Sequence, residues 1–392
     1  MNLLIYNASV YDSDTKSFFH GAVASDGEKI SKIYENVSGI PAGIDTDSFV
    51  CIDAEQKLLI PGLIDIHTHG RAGGDFNSAD LSLMRTMAKS YLSSGVTTVM
   101  PTLASAPMSD LTSAISIINE LSEEKENMPY IAGVHLEGRY LNPAKRGAHS
   151  PDLLASLDAT ELDNIIPSIK GVCRISAAFE LDTDGSFMKR ALDLGAMVSL
   201  GHTCADYKTT VELIKRGLSS ITHLFNAMPP LHHRDGGAVC AGLTEPVFCE
   251  LICDGFHIAP EMIGMSYRLA GYEDRIVLIS DSMEATGCAD GEYTIAGMPV
   301  TVSGGRARTH DGAIAGSTLS LWDGVLNLKE FACIPLERAI YCATMAPARA
   351  AGIAHLVGSI TEGKRADMLL VDRKNGCRID SVYCGGQASY LP

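Results

Sequence analysis

The chain has 392 residues, 46% of them hydrophobic and 20% charged, enough apolar material for a sizeable core and too much for wholesale disorder. Lys and Arg total 31 against 47 Asp and Glu, a formal charge of −16; a broad nucleic-acid surface needs the opposite balance to displace phosphate counterions. No apolar run reaches the roughly 18 residues of a membrane span, and the opening MNLLIYNASVYDSD lacks the basic and apolar regions of a secretory leader. Eleven cysteines without any CxxC suit a reducing cytoplasm better than a disulfide framework.

Residues 1–55 read as short strands with period-2 alternation around turns, as in LLIYNASVYD and GAVASDGEKISKIYE. From residue 63 the style changes to continuously apolar runs, each ending in Gly, Pro or a polar residue. In order they are LIDIHTHG (63–70), TTVMPT (97–102), IAGVHLEG (131–138), CRISAAFE (173–180), MVSLGHT (197–203), SSITHLFN (219–226), CELICDG (249–255) and RIVLISD (275–281). Helix-compatible stretches lie between them, among them Leu81 to Ser93, Leu111 to Lys125 and Cys204 to Arg216. Buried strands alternating with helices imply a parallel sheet covered on its outer face. Eight units over about 220 residues predict an α/β fold of (β/α)₈ TIM-like barrel type. Residues 287–312 read as a β-hairpin inserted after the eighth strand. Beyond residue 357, VGSITEGKRADMLLVD and SVYCGGQASYL return to the opening style. The expected organisation is therefore a small β-sandwich from both termini, residues 1–55 and 358–392, beside a barrel at 56–357.

Such a barrel gathers its chemistry at the C-terminal ends of its strands. There the sequence places His67 and His69, then Glu137, His202, His223 and Asp281. His67 and His69, two apart on one strand, face the same way. Imidazole and carboxylate together suit a borderline divalent cation such as zinc or iron(II). A lone histidine at a strand end is ordinarily a satisfied polar residue, and Asp281 in SDSM would equally serve as a helix N-cap. The joint occurrence in this order points to a metal site.

The blocks PGLIDIHTHG, HLEGRYLNPAKRGAH, GHT, THLFNAMPPLHHRDGG, DGFH and SDSMEATG resemble the N-acetylglucosamine-6-phosphate deacetylase family of the amidohydrolase superfamily. The resemblance runs from about Asp26 to about Asp372. It implies a metal-dependent (β/α)₈ barrel flanked by a β-sandwich, one or two divalent ions per subunit, and a homodimer. Zinc is the expected ion, with iron, cobalt or manganese as alternatives. It further implies that Glu137, His202 and His223 hold the principal metal, that His67 and His69 complete a second position, and that Asp281 is the catalytic acid/base. His149, with Ala148 before it, would lie against the acetyl carbonyl. Asn226, Ala227, Arg234, Asp254 and His257 would contact an amino-sugar phosphate, and Ile314, Ala315 and Gly316 would close the sugar pocket. Three residues at two places depart from the family's habit: Arg139 stands where Pro usually follows HLEG, and in SDSMEATG Ser282 and Glu284 stand where small residues are usual.

Hydrolysing an amide requires an activated water and a proton for the departing nitrogen, tasks for a divalent cation and one carboxylate. The expected reaction is removal of the acetyl group from N-acetyl-D-glucosamine 6-phosphate. An N-acetylgalactosamine-6-phosphate deacetylase needs almost the same site and is the nearest alternative. A cyclic-imidase type would carry a lysine at the end of strand four, where SAAFE stands. A non-catalytic barrel scaffold would have lost ligands, and none is lost.

Overall fold

In the computed structural model, which describes residues 2–390, all eight apolar runs form parallel strands in chain order. They are Leu63–Thr68, Val96–Leu103, Gly133–Glu137, Val172–Ala177, Met197–Leu200, Ser220–Ile221, Phe248–Ile252 and Ile276–Ile279. Each pairs with the next, and the first pairs with the second. The remaining seam, between strands eight and one, is closed by shorter means. The Asp281 amide donates to the His67 carbonyl at 3.0 Å, and Ser280 donates through its hydroxyl to Asp65.

A helix follows every strand, from Leu81–Ser93 after the first to Leu321–Ala332 after the eighth. The second helix runs Met108–Leu121, not Leu111 to Lys125. Pro107 presets the backbone for an early start, and the polar run Ser122 to Asn127 has nothing to bury. The fifth helix begins at Tyr207 because the Asp206 carboxylate caps it, accepting from the Thr209 amide. Arg174 and Glu250 are buried inside the barrel, where such folds ordinarily hold branched apolar residues.

Both termini enter one sheet, strands of Leu3–Asp12, Ser17–Asp26 and Lys29–Glu35 continuing through Leu58–Pro61 to Met368–Asp372, Arg378–Cys384 and Gln387–Tyr390. Leu58–Pro61 falls on the barrel side of a boundary at 56, yet it pairs with Met368–Asp372. The sheet folds over its own core: Ile30 and Tyr383, from strands five places apart, share one apolar cluster with Val23, Met368 and Leu370. Backbone bonds from Ile30 to Lys364 and from Ala366 to Glu28 stitch the turn shut. The insertion after the eighth strand holds three strands rather than a hairpin alone: Gly291–Ile295, Met298–Ser303 and Arg306–Thr309. Gly304 and Gly305, at φ 58° and 69°, supply the second turn that a two-strand reading overlooked.

Candidate active site

The site is built just beyond the strand ends. Glu137 is the last residue of the third strand, and His202, His223 and Asp281 each stand two residues past theirs. The backbone at these three is left-handed, with φ of 48°, 29° and 49°, conformations that cost about 1–3 kcal/mol each for a residue with a side chain. They are held there by bonds from elsewhere in the barrel. The His223 amide donates to Glu250 at 3.1 Å, the His202 carbonyl accepts from Asn142 at 3.0 Å, and the Asp281 carbonyl accepts from Ser317 at 2.7 Å.

The buried Glu137 carboxylate lies between two pairs of imidazoles. One oxygen, Oε2, is 3.1 Å from His67 Nε2 and 2.9 Å from His69 Nε2. The other, Oε1, is 3.0 Å from His223 Nε2 and 3.5 Å from His202 Nε2. Asp281 Oδ1 stands 3.5 Å from His67 Nε2 and 3.4 Å from His69 Nε2.

A hydrogen-bond partner of fixed role settles where the proton of His202 lies. A backbone carbonyl can only accept, so His202 Nδ1, 2.8 Å from the Lys145 carbonyl, bears the hydrogen and leaves a lone pair on Nε2. His67 has a carboxylate at each ring nitrogen, Glu250 Oε2 3.0 Å from Nδ1 and Glu137 Oε2 3.1 Å from Nε2, so a cation bound at Nε2 would leave its hydrogen on Nδ1. Ring nitrogens and carboxylate oxygens thus crowd one another, and His202 Nε2 lies only 3.1 Å from His223 Nε2. Protons or metal cations can fill the space between them, and four imidazoles with two carboxylates are a donor set suited to zinc or iron(II). The same field acts on protons. Burial alone would push the Glu137 carboxyl up, but His67 and the other imidazoles hold it well below the usual range. Burial works against a charged His69, yet Asp281 and Glu137 raise it to about 9.

His149 is differently wired. Its Nδ1 receives the Ser105 amide at 3.4 Å and lies 3.0 Å from the Ser105 hydroxyl. With Nδ1 accepting, the ring hydrogen sits on Nε2. Burial, followed by the neighbouring His202, lowers its pKa to about 3. His149 is therefore a neutral donor, although it lies close enough to Glu137 and His202 to be grouped with them as a ligand. Ser105 also accepts from the Arg139 amide. The Arg139 guanidinium points away from the cluster, to Glu161 at 3.0 Å and the Ala106 carbonyl at 3.1 Å.

A cavity of about 350 Å³ opens over the cluster, lined by His69, Glu137, His149, His202, His223 and Asp281 together with Ala148, Asn226, Ala227, His257, Ile314 and Gly316. Three expected contacts lie outside this lining. Asp254 stands behind His257, its Oδ2 2.6 Å from His257 Nδ1. Ala315 turns into the core under the insertion, with Met283 and Ile295. Arg234 is exposed on its loop, its Nη1 donating to the neighbouring His233 Nε2 at 2.9 Å, and is not part of its own chain's pocket lining. Lys145 and Ile295 do line the cavity, and neither was singled out from sequence. Nor were Ser105 and Glu250. A serine after an apolar strand carries no signal, whereas a lone glutamate inside the apolar run CELICDG does.

A (β/α)₈ barrel with histidines and carboxylates converging at its mouth defines a metal-dependent hydrolase of the amidohydrolase type. The amidohydrolase family profile matches residues 58–388. The N-acetylglucosamine-6-phosphate deacetylase of Vibrio furnissii is 37% identical over 80% of this chain and 78% of its own length. The N-acetylgalactosamine-6-phosphate deacetylase of Escherichia coli O157:H7 is 33% identical over 89% and 92%. A mutant of the Mycobacterium smegmatis N-acetyl-D-glucosamine-6-phosphate deacetylase, solved with N-acetyl-D-glucosamine-6-phosphate, superposes over 100% of both chains with a TM-score of 0.88 at 27% identity. The chain belongs to the N-acetylglucosamine-6-phosphate deacetylase family of amidohydrolases.

Proposed function

We propose that the chain hydrolyses N-acetyl-D-glucosamine 6-phosphate to glucosamine 6-phosphate and acetate. The observation that carries the reading is the Glu137 carboxylate held between two imidazole pairs, with Asp281 beside it and a neutral donor, His149, across the same cavity. Glu137, His202 and His223 would hold the principal cation, with His67, His69 and Asp281 bounding a second position. A divalent ion there, zinc by the donor set, supplies Lewis acidity that brings the pKa of a water from about 15.7 to about 7.

The chain's own residues do the rest. Asp281 is acidic and ionised: burial opposes its charge, but His67 and His69 keep its carboxyl below the ordinary value. It can take the proton of the attacking water and pass it to the amide nitrogen as the C–N bond breaks. His149 donates its Nε2 hydrogen to the carbonyl oxygen as negative charge develops there. Asn226, Ala227 and His257 line the same cavity and would contact the sugar, with His257 oriented by Asp254. Lys145 is a cation in the chain's own lining, whereas Arg234 lies outside it and could reach a phosphate only from another subunit. A homodimer in which Arg234 serves the neighbouring site accounts for this. A reducing cytoplasm suits eleven cysteines that are all free thiols.

The test is acetate release from a panel of N-acetylated hexosamine 6-phosphates by the native chain and by Asp281→Asn. The expected result is turnover of the gluco sugar, with metal content kept and turnover lost, by about 10²–10⁴, in the variant. A variant that still turns over removes Asp281 from the reaction. Preference for the galacto sugar would favour the second reading, which the 33% identity to a galactosamine enzyme over 92% of its length supports.

A further inference from the structure

The floor of the site contains an ion pair that the reaction as drawn does not use. Glu250, on the strand Phe248–Ile252, is fully buried. One of its oxygens pairs with the Arg174 guanidinium, itself buried and donating to Ser199 at 3.0 Å and Ser220 at 2.8 Å. Taking both charges into a barrel interior carries a desolvation penalty that apolar side chains of similar volume would avoid. The second oxygen, Oε2, accounts for their presence. It lies 3.0 Å from His67 Nδ1 and 3.1 Å from the His223 amide that donates to it.

Those two bonds act on opposite sides of Glu137. The first gives the Nδ1 hydrogen an acceptor, so that Nε2, 3.1 Å from Glu137 and 3.5 Å from Asp281, can give up its own hydrogen and turn a lone pair to a cation. A carboxylate behind an imidazole also orients the ring and raises its basicity as a ligand, effects worth about 10–100-fold in metal affinity. The second bond pins the backbone of His223 where its φ is 29°. His135 packs edge-on against the His67 ring at 4.7 Å, fixing the ring's plane but making no bond to it. Glu250 is the hydrogen-bond partner behind the ring, on the side away from Glu137.

We propose that Glu250 is a positioning residue that creates the second cation position, bounded by His67, His69 and Asp281, and ties it to the His202 and His223 side through a single oxygen. The proposal rests on the metal-site reading above.

The experiment measures bound cobalt(II) and zinc(II) per chain after equilibrium dialysis of the purified full-length protein, with cobalt absorption as a second readout and circular dichroism to certify the fold. Glu250→Leu with Arg174→Met removes both charges together, so that no orphaned ion unfolds the barrel. Glu250→Gln with Arg174→Gln keeps an acceptor for the His67 hydrogen. Expected are two equivalents in the native chain and one in the Leu/Met pair, the second equivalent weakened about 10–100-fold. The Gln/Gln pair should recover it at least in part. Two undiminished equivalents in a folded Leu/Met pair would reduce Glu250 to a partner for Arg174 and overturn the proposal. A native chain that binds a single equivalent overturns the second position itself, and one that binds none overturns the metal-site reading with it.

Discussion

His149 offers the sharpest division between what the geometry says and what proximity alone suggests. It is one of three side chains, with Glu137 and His202, whose donor atoms lie within 4.8 Å of one another, so a ligand count would include it. Its Nδ1, however, is occupied by the Ser105 amide and faces the Ser105 hydroxyl, which leaves a hydrogen on Nε2 and no lone pair for a cation. His149→Ala should therefore keep the full metal content and lose one hydrogen-bond donor to the developing oxyanion. Such a donor in a water-poor site is worth about 2.7–4 kcal/mol, or about 10²–10³ in kcat. The pH dependence gives a second reading of the same variant. With the ring's pKa lowered to about 3 by burial and by His202, the neutral donor is the only form present from pH 5 to 9. The acid limb of kcat against pH then belongs to another group and is unmoved by the substitution. For stability the sign runs the other way from a paired cation. Between about 3 and 6.5 the unfolded ring binds a proton that the folded ring refuses, so His149 costs stability as pH falls through that window and adds nothing at pH 7. The alanine variant should accordingly lose less stability in acid than the native chain. The assay is acetate release across pH 5–9 beside elemental analysis. A lost metal equivalent, or an acid limb that vanishes with His149, would refute the reasoning.

Three further outcomes follow from the same contacts. Chelation should abolish turnover and lower the unfolding midpoint, since a cation held at about 1,000 times its Kd contributes about 4 kcal/mol to the folded state; zinc or iron(II) should restore both. Arg139→Ala removes a mostly buried ion pair with Glu161 and a bond to the Ala106 carbonyl, so stability from urea unfolding should fall by about 1.5–3 kcal/mol while kcat stays within about twofold. Arg234→Ala and Asp281→Asn should each be impaired alone, and subunits of the two mixed after dissociation should regain activity, because one site of a mixed dimer then has both residues; no recovery on mixing would return Arg234 to its own chain or to the surface.

The barrel was legible because each strand is buried on both faces and writes a continuous apolar run, while the site residues interrupt those runs at the one end where a barrel exposes them. Hence His67, Glu137, His202, His223 and Asp281 could be found one strand at a time. The insertion's third strand, Arg306–Thr309, was not legible: RART alternates arginines with small residues, and only the paired glycines before it announce a turn. What sequence could not express at all is direction across strands. Nothing in GRY says that the Arg139 guanidinium turns toward Glu161 and leaves only its amide near Ser105.

The same limit separates Asp65 from Glu250, two buried acids that look equally out of place in apolar strands. Asp65 ties the eighth strand to the first by accepting from Ser280, and burial raises its carboxyl to about 6 despite that bond. It is a seam residue whose carboxyl is shifted toward the neutral form, and no ring nitrogen stands among its hydrogen-bond partners. Glu250 is buried just as deeply, yet Arg174 and His67 overcome the cost of burial and hold it below the ordinary carboxylate range. A charge held behind the His67 imidazole strengthens that ring as a ligand, whereas Asp65 has no ring nitrogen among its partners to act on. Burial alone does not distinguish a structural acid from one that serves the site; the partner that pays for the charge does.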